Sequence, residues 1–483
     1  MLFNSLHFLI FFPVVTTLYF LLPHRYRWAL LLAASCYFYM ALIPAYILIL
    51  FFLIGVDYIA GLLIENAAGV KRKLFLILSL VANIGVLGFF KYFNFLNDNI
   101  HHLAEALGFS WPVANLSIIL PVGLSFHTFQ SISYTIEVYR GRQRAERHLG
   151  IYALYVMFYP QLVAGPIERP QNLLHQFFDK HSFDYQRVTD GLKLMAWGLF
   201  KKVVIADRLA EAVNQVYDSP EGYSGAALLL ATYYFAIQIY CDFSGYTDIA
   251  LGAAQVMGFR LMENFRSPYH ASSIAEFWKR WHISLSTWFR DYLYIPLGGN
   301  RISKPRWYFN LFFVFLVSGL WHGANWTFVI WGAFHGFYLI FSLWTQNIRQ
   351  RLTSLLSLDR APALHNLLRV FLTFNLVAFA WIFFRAPSLS QALYIVSHLF
   401  AFGSSPRPGV ALEPLLLGRT DMIIALLAVL VMEAGHLMQK YSRVRDVLAR
   451  QPALVRWTAY YAVVYATLFF WKTGYHQFIY FQF

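Results

Sequence analysis

Apolar runs long enough to cross a bilayer recur along this chain from one end to the other, and few folds accommodate that. Such runs include Met1–Leu22, the stretch from Trp28 to Ile64, Leu74–Phe90 and Ala324–Trp344, and Gly225–Ile239 is a further strong apolar run. A membrane-crossing helix takes about 20 predominantly apolar residues. In hydrocarbon each backbone N–H and C=O must find an internal partner, and a helix supplies those partners within one segment. Composition agrees: of 483 residues, 59% are hydrophobic and only 13% charged, where soluble domains carry about 25% charged residues. The fold class expected is an all-α polytopic membrane protein. A soluble protein with an unusually large core fits the long apolar runs poorly.

The formal net charge of +14 would suggest nucleic acid in a soluble protein. Here the basic residues sit in short segments between apolar runs, as the positive-inside rule predicts for cytoplasmic loops. The segments are His24-Arg25-Tyr26-Arg27, Lys71-Arg72-Lys73, the cluster Arg140, Arg142, Arg144 and Arg147, and the group Lys440, Arg443, Arg445, Arg450 and Arg456. Read this way, both termini lie outside. Met1–Leu22 is a first transmembrane helix and not a removed signal peptide, because it lacks a basic leader and a small-residue cleavage site. A hairpin turning at Pro44 joins helices over Trp28–Leu42 and Ala45–Ile64. The next helix, Leu74–Phe90, exits at Lys91-Tyr92, and the mixed segment Asn94–Ala114 lies on the outer surface. A helix over Leu116–Val138 returns. Further spans are expected at Trp307–Leu320, Ala324–Trp344, Val370–Phe384, Leu393–Phe402 (short enough to be re-entrant), Asp421–Met438 and Trp457–Trp471. About twelve helices would cross or enter the bilayer. Residues 1–483 form one integral membrane domain with a C-terminal aromatic tail, 474–483. No internal repeat is visible. Cys36 and Cys241 have no metal-ligand spacing, and no metal is expected.

Five stretches could carry chemistry. In Ser318-Gly319-Leu320-Trp321-His322-Gly323-Ala324-Asn325-Trp326 a histidine interrupts an apolar run. Ionisable residues inside membranes are costly and are functional candidates by default. Gly319 and Gly323 would let another backbone approach the imidazole. Two readings fit His322: a general base, or a neutral histidine hydrogen-bonded between helices. His335, thirteen residues on, falls on another face of a continuous helix and reads as structural. Second, Glu276-Phe277-Trp278-Lys279-Arg280-Trp281-His282 and its continuation to Tyr292 are aromatic and basic together. Helical spacing would align Trp278, Trp281, Leu285, Trp288 and His282 on one side. Lys279, Arg280 and Arg290 are candidates for phosphates, or ordinary interfacial cations. Third, Asp242-Phe243-Ser244-Gly245-Tyr246-Thr247-Asp248 reads as a polar kink, with a proton relay or ion site as the alternatives. Fourth, Gly165-Pro166-Ile167-Glu168-Arg169-Pro170 reads as a helix break lining a cavity. Last, the tail Phe478-Ile479-Tyr480-Phe481-Gln482-Phe483 is an aromatic anchor for the final helix, or an extended segment offered to a partner.

Together these stretches resemble the bacterial membrane-bound O-acyltransferases of the alginate O-acetylation type. IAEFWKRWHISLSTWFRDYLYIPLGGNR, Ile274 to Arg301, is similar to their central signature, and GLWHGANW, Gly319 to Trp326, to their histidine motif. MLFNS at the start, KYFNF at Lys91–Phe95, LVAGPIERP at Leu162–Pro170 and YCDFSGYTDIALG at Tyr240–Gly252 match as well. The resemblance spans essentially the whole chain and says little about the substrate. It implies a fold built around a central catalytic tunnel, with His322 as the essential catalytic histidine and His282 as a second polar residue of the site. It implies acetyl-CoA as a co-substrate, with no permanently bound cofactor. It also implies an acceptor reached through a periplasmic SGNH or serine-esterase-like acetyltransferase, and Tyr480 as an acyl relay. Membrane lipids are partners; nucleic acid is not.

The chemistry that follows is attack of a hydroxyl on a thioester carbonyl, with His322 as general base. Asn325 and Trp326 are nearby N–H donors for the oxyanion. Peptidoglycan O-acetylation by the same mechanism is the neighbouring alternative, in the same bacterial inner membrane. A membrane transporter is the alternative from another class, supported by the intramembrane polar residues.

Overall fold

The computed structural model describes residues 1–41, 43–163, 165–401, 416–439, 444–471 and 478–479. Among the described residues the regular structure is helical throughout, with no strand. Among the described residues, six helices are long and apolar enough to cross a membrane by length and composition: Pro44–Asn66, Gly69–Ala106, Gly225–Met257, Trp326–Trp344, Pro362–Arg385 and Arg419–Gln439. Leu6–Leu21 is a shorter apolar helix. The described chain packs as two compact units. One comprises Met1–Met195 with Tyr246–Met262, the other Ala196–Gly245 with Glu263–Phe483.

In the first unit, the helix expected to exit at Lys91-Tyr92 continues instead, as Gly69–Ala106. Its middle widens into a π-helical segment over Gly88–Tyr92, so the charge is carried without ending the helix. The residues after Ala106 are held against the helix by two asparagines. Asn94 donates to Leu116 O and accepts from its N–H, both at 2.9 Å. Asn97 donates to Val113 O at 3.0 Å and accepts from Trp111 Nε1 at 2.7 Å. Backbone satisfied in this way has no need to be helical. The expected helix over Leu116–Val138 accordingly begins only at Leu124 and runs to Tyr139. Pro121 and the left-handed Gly123 (φ 77°) set its start.

Several buried polar groups in this unit are paired through side chains. Buried Asp57 accepts from Ser79 Oγ at 2.6 Å and from Asn83 Nδ2 at 2.9 and 3.0 Å. In the Gly165–Pro170 break, buried Glu168 accepts from the Met262 N–H and from Asn172, each at 2.5 Å. Arg169 donates to Ser133 Oγ at 3.1 Å. The break is a polar junction inside the unit.

In the second unit, Lys304–His322 and Trp326–Trp344 form a helical hairpin whose turn is Gly323–Asn325. Asn325 caps the second helix, its side chain accepting from the Thr327 N–H at 3.0 Å. The close approach expected at Gly319 is made by the returning helix. A Cβ on Gly319 would lie 2.2 Å from Phe328 O, and one on Gly332 would lie 2.2 Å from Phe315 O. Gly332 and Gly336, both in the returning helix, have the small-xxx-small spacing that lets helix backbones touch in membranes, while Gly323 in the turn makes room for the Phe328 ring,. Gly319→Val should therefore force the hairpin apart, at a cost above the roughly 1–3 kcal/mol usual for overpacking. A lowered midpoint of thermal unfolding in detergent checks this; an unchanged midpoint would refute the close contact.

The segment Asp242–Asp248, expected to kink, lies inside one uninterrupted helix, Gly225–Met257. The carboxylate at Asp242 is neutralised from outside the helix, so the backbone has no reason to break there.

Candidate active site

His322 is the last residue of its helix and is 4% exposed. Three aromatic rings surround its imidazole: Trp321 at 4.9 Å, Trp331 edge-on at 4.9 Å and Phe384 at 5.3 Å between centroids. Trp331 stacks on Trp381 at 5.7 Å, extending the wall. The turn at Gly323–Asn325 alters the expected relation to His335. The two histidines belong to different helices, and Trp331 lies beside both, 5.0 Å from the His335 ring. His335 Nδ1 accepts from Trp278 Nε1 at 3.2 Å, a contact that ties it to the next element.

That element is not the single helix that spacing suggested. Ile274–Arg280 and Ile283–Phe289 are separate helices, followed by a π-helical segment over Arg290–Tyr294. Trp281 is extended, and His282 takes the left-handed conformation at φ 43°. The aligned stripe of Trp278, Trp281, Leu285, Trp288 and His282 therefore does not form. A non-glycine residue held there costs on the order of 1–3 kcal/mol and needs something to hold it. Asn264 does so. Its Oδ1 accepts from His282 Nδ1–H at 3.0 Å, Ser284 Oγ at 2.9 Å and the Ser284 N–H at 3.3 Å, and its carbonyl accepts from the Ile283 N–H at 2.9 Å. His282 and Asn264 are both fully buried. His282 lies outside the six membrane-length helices, and burial pushes its imidazole down to about 3. It is neutral, and with Nδ1 donating, Nε2 carries the lone pair. Phe243 packs on the His282 ring at 4.7 Å, and Trp321 lies 6.5 Å away. Trp321 thus sits beside both His282 and His322.

A second buried cluster adjoins Phe243. Lys201 and Lys202 are buried. Lys201 donates to Ser244 Oγ at 2.9 Å. Lys202 Nζ lies 2.8 Å from Asp207 and 2.7 Å from Asp242. The other oxygen of Asp242 accepts the Ile479 N–H at 2.8 Å. Phe478 and Ile479 are buried, and Phe478 packs on Phe243 at 5.9 Å. At these two positions the tail lies within its own chain and is neither a free strand nor a surface anchor. Tyr480 lies outside the described residues.

The remaining candidates are distributed. Lys279 and Arg280 line a cavity of about 650 Å³ together with Arg266, Glu276, His270 and His436. Arg290 is not among its lining residues and pairs with Asp291 at 2.7 Å. Asn325 uses its amide on the helix cap and on Pro387 O, 3.2 Å away, and Trp326 is 52% exposed. Asn264, Lys202 and Trp331 escaped the sequence reading. Asn264 and Lys202 act through partners eighteen and forty positions away, and Trp331 meets the His322 ring only because the hairpin turns between them.

Residues 80–388 match the sequence model of the membrane-bound O-acyltransferase (MBOAT) family. This chain belongs to the MBOAT family. It is therefore a multi-pass membrane acyltransferase, as the resemblance implied. The Probable alginate O-acetylase AlgI of Pseudomonas aeruginosa is 43% identical to it over 409 residues, covering 84% of this chain and 76% of that protein. The peptidoglycan O-acetyltransferase of Helicobacter pylori is 36% identical over 393 residues, covering 76% and 72%. The teichoic acid D-alanyltransferase of Streptococcus thermophilus is 28% identical over 299 residues, covering 56% and 69%. The matched span of this MBOAT protein contains both His282 and His322.

Proposed function

We propose that this acyltransferase passes acetyl groups from cytoplasmic acetyl-CoA through the inner membrane toward an exported polysaccharide of the alginate type. The observation that carries the reading is the placement of His322, in a chain 43% identical to an alginate O-acetylase. It is buried in an aromatic cage, one tryptophan away from a neutral, oriented His282. His322 is the catalytic base: it takes the proton of the attacking hydroxyl as the oxygen bonds to the thioester carbonyl. The C–S bond then breaks, and the imidazolium returns the proton to the leaving thiolate. Such acid–base catalysis supplies roughly 10²–10⁴-fold. His282 orients the reacting groups through Nε2.

The first acceptor is Tyr480. Its support is the tether at the preceding residue, where Asp242 holds the Ile479 N–H beside Phe243. A periplasmic SGNH or serine-esterase-like acetyltransferase then receives the acetyl group. Both termini lie on the outer face, on the strength of the basic segments assigned to the cytoplasm. The donor's phosphates bind Arg266, Lys279 and Arg280, the cations that line one cavity; guanidinium and ammonium groups pair well with phosphate oxygens. Peptidoglycan is the alternative acceptor, supported by the relative from Helicobacter pylori.

Two measurements test this. A deletion strain should lose acetyl esters from secreted polysaccharide and keep those of peptidoglycan; the reverse would transfer the assignment to peptidoglycan. In membranes, Arg266→Ala with Lys279→Ala should raise the KM for acetyl-CoA about tenfold or more, the loss expected when charge-assisted bonds are removed. An unchanged KM would remove the donor from this cavity.

A further inference from the structure

The cavity has a feature that donor binding does not use. His270 and His436 stand in its wall, and Glu433 lies between them. His270 Nε2 is 2.6 Å from one oxygen of Glu433, and His436 Nδ1 is 3.2 Å from the other. One ligand atom from each of the three residues lies within 4.8 Å of the others. Glu433 and His436 are three residues apart on the Arg419–Gln439 helix, so both project from one face,. The Glu-x-x-His spacing is used by metal-binding helical bundles. His270 arrives from a distant part of the chain, on a 3₁₀ turn over Pro268–His270 entered through the left-handed Ser267 at φ 42°.

We infer that His270, Glu433 and His436 form a binding site for a divalent transition-metal ion, with Zn²⁺ the best match. Two imidazoles and one carboxylate are the ligand set of open zinc sites, which leave a position for water or another oxygen ligand. Neighbouring ligands of a tetrahedral zinc lie about 3.3 Å apart, given Zn–N bonds of about 2.0–2.1 Å. Glu433 Oε1 and His436 Nδ1 already have that separation at 3.2 Å, and since Oε2 is the oxygen 2.6 Å from His270 Nε2, the three ligand atoms, within 4.8 Å of one another, draw together as the ion enters. Metal-bound histidines characteristically donate their second ring N–H to an oxygen that fixes the tautomer. The Tyr240 hydroxyl oxygen lies 2.9 Å from His436 Nε2, placed to accept that bond. Side-chain exposures of 20% at His270, 36% at Glu433 and 7% at His436 give an ion a route in and leave its open position toward the cavity. The site stands whether or not acetyl-CoA occupies the same cavity. Without an ion, the same three groups form a hydrogen-bonded histidine–glutamate–histidine triad, and the two states differ in metal content.

The test uses the full chain in detergent, purified on a tag free of histidine. Protein stripped with a chelator and reloaded with Zn²⁺, then desalted, should retain about one zinc per chain. His270→Ala and Glu433→Gln should each lose it, and Glu276→Gln, altered in the same cavity but outside the triad, should keep it. Tyr240→Phe should bind about 10–100-fold more weakly, as removal of an outer-shell partner does. Zn²⁺ should raise the thermal midpoint of the wild type and not that of His270→Ala. Monodisperse wild-type protein that retains no zinc after reloading overturns the site, whatever the variants do. So does zinc retained equally by His270→Ala and Glu433→Gln.

Discussion

His322→Ala is expected to lower acetyl transfer by at least about 10²–10⁴-fold, the contribution of a positioned general base. The imidazole is the titratable group inside the ring of Trp321, Trp331 and Phe384. Removing it also leaves a space between those rings, and emptied core positions commonly cost about 2–5 kcal/mol. His322→Gln separates the two effects, because it keeps most of the volume and a polar terminus without a comparable base. Acetyl release from acetyl-CoA in membranes should collapse for both variants, with the larger drop in thermal midpoint confined to alanine. Full activity in the glutamine variant would remove His322 from the chemistry.

Asp242→Ala should be the next most damaging change. It takes one carboxylate from buried Lys202 and frees the Ile479 N–H. Removing one partner of a buried ion pair costs about 3–5 kcal/mol. Asp242→Asn still offers an oxygen to the Ile479 N–H but no charge to Lys202. Transfer to the external acceptor should therefore fall at least about tenfold with alanine, a loss of about 1.4 kcal/mol or more in transition-state stabilisation, and recover in part with asparagine. The loss in thermal midpoint should be similar for both. If Tyr480 is the relay, Tyr480→Phe in the same assay should abolish transfer to the external acceptor without a matching loss in thermal midpoint. Undiminished transfer in that variant eliminates the relay, and undiminished transfer in Asp242→Ala eliminates the tether.

Much of the site was legible because membranes make polar residues conspicuous. His322 stood out in an apolar run, and Gly319 before it announced the close backbone contact now seen there, whereas Gly323 meets the Phe328 ring. What could not be read were the consequences of distant partners. Trp281-His282 contains no glycine or proline, so local pattern predicts a continuous helix. The break depends on Asn264, eighteen residues away. Asp242 looked like a kink because its neutralising partner, Lys202, is forty residues upstream. Lys91 looked like a helix exit, yet a π-helical segment carries it through. The start of Leu124–Tyr139 is a different case: Pro121 and Gly123 were in view and outweighed by the apolar run before them. At His270, Glu433 and His436 only the last two share a helical spacing, and His270 lies 163 positions before Glu433.

The bond from the Ile479 N–H to Asp242 has a consequence for how the end of this chain can change. The group recognised is a main-chain amide, which nineteen of the twenty residue types possess, proline alone lacking it. Register along the tail is thus held independently of the side chain at 479, and the residue that follows stays a fixed number of bonds from a buried anchor. Changes of side chain at 479 other than to proline are therefore expected to leave this tether in place,.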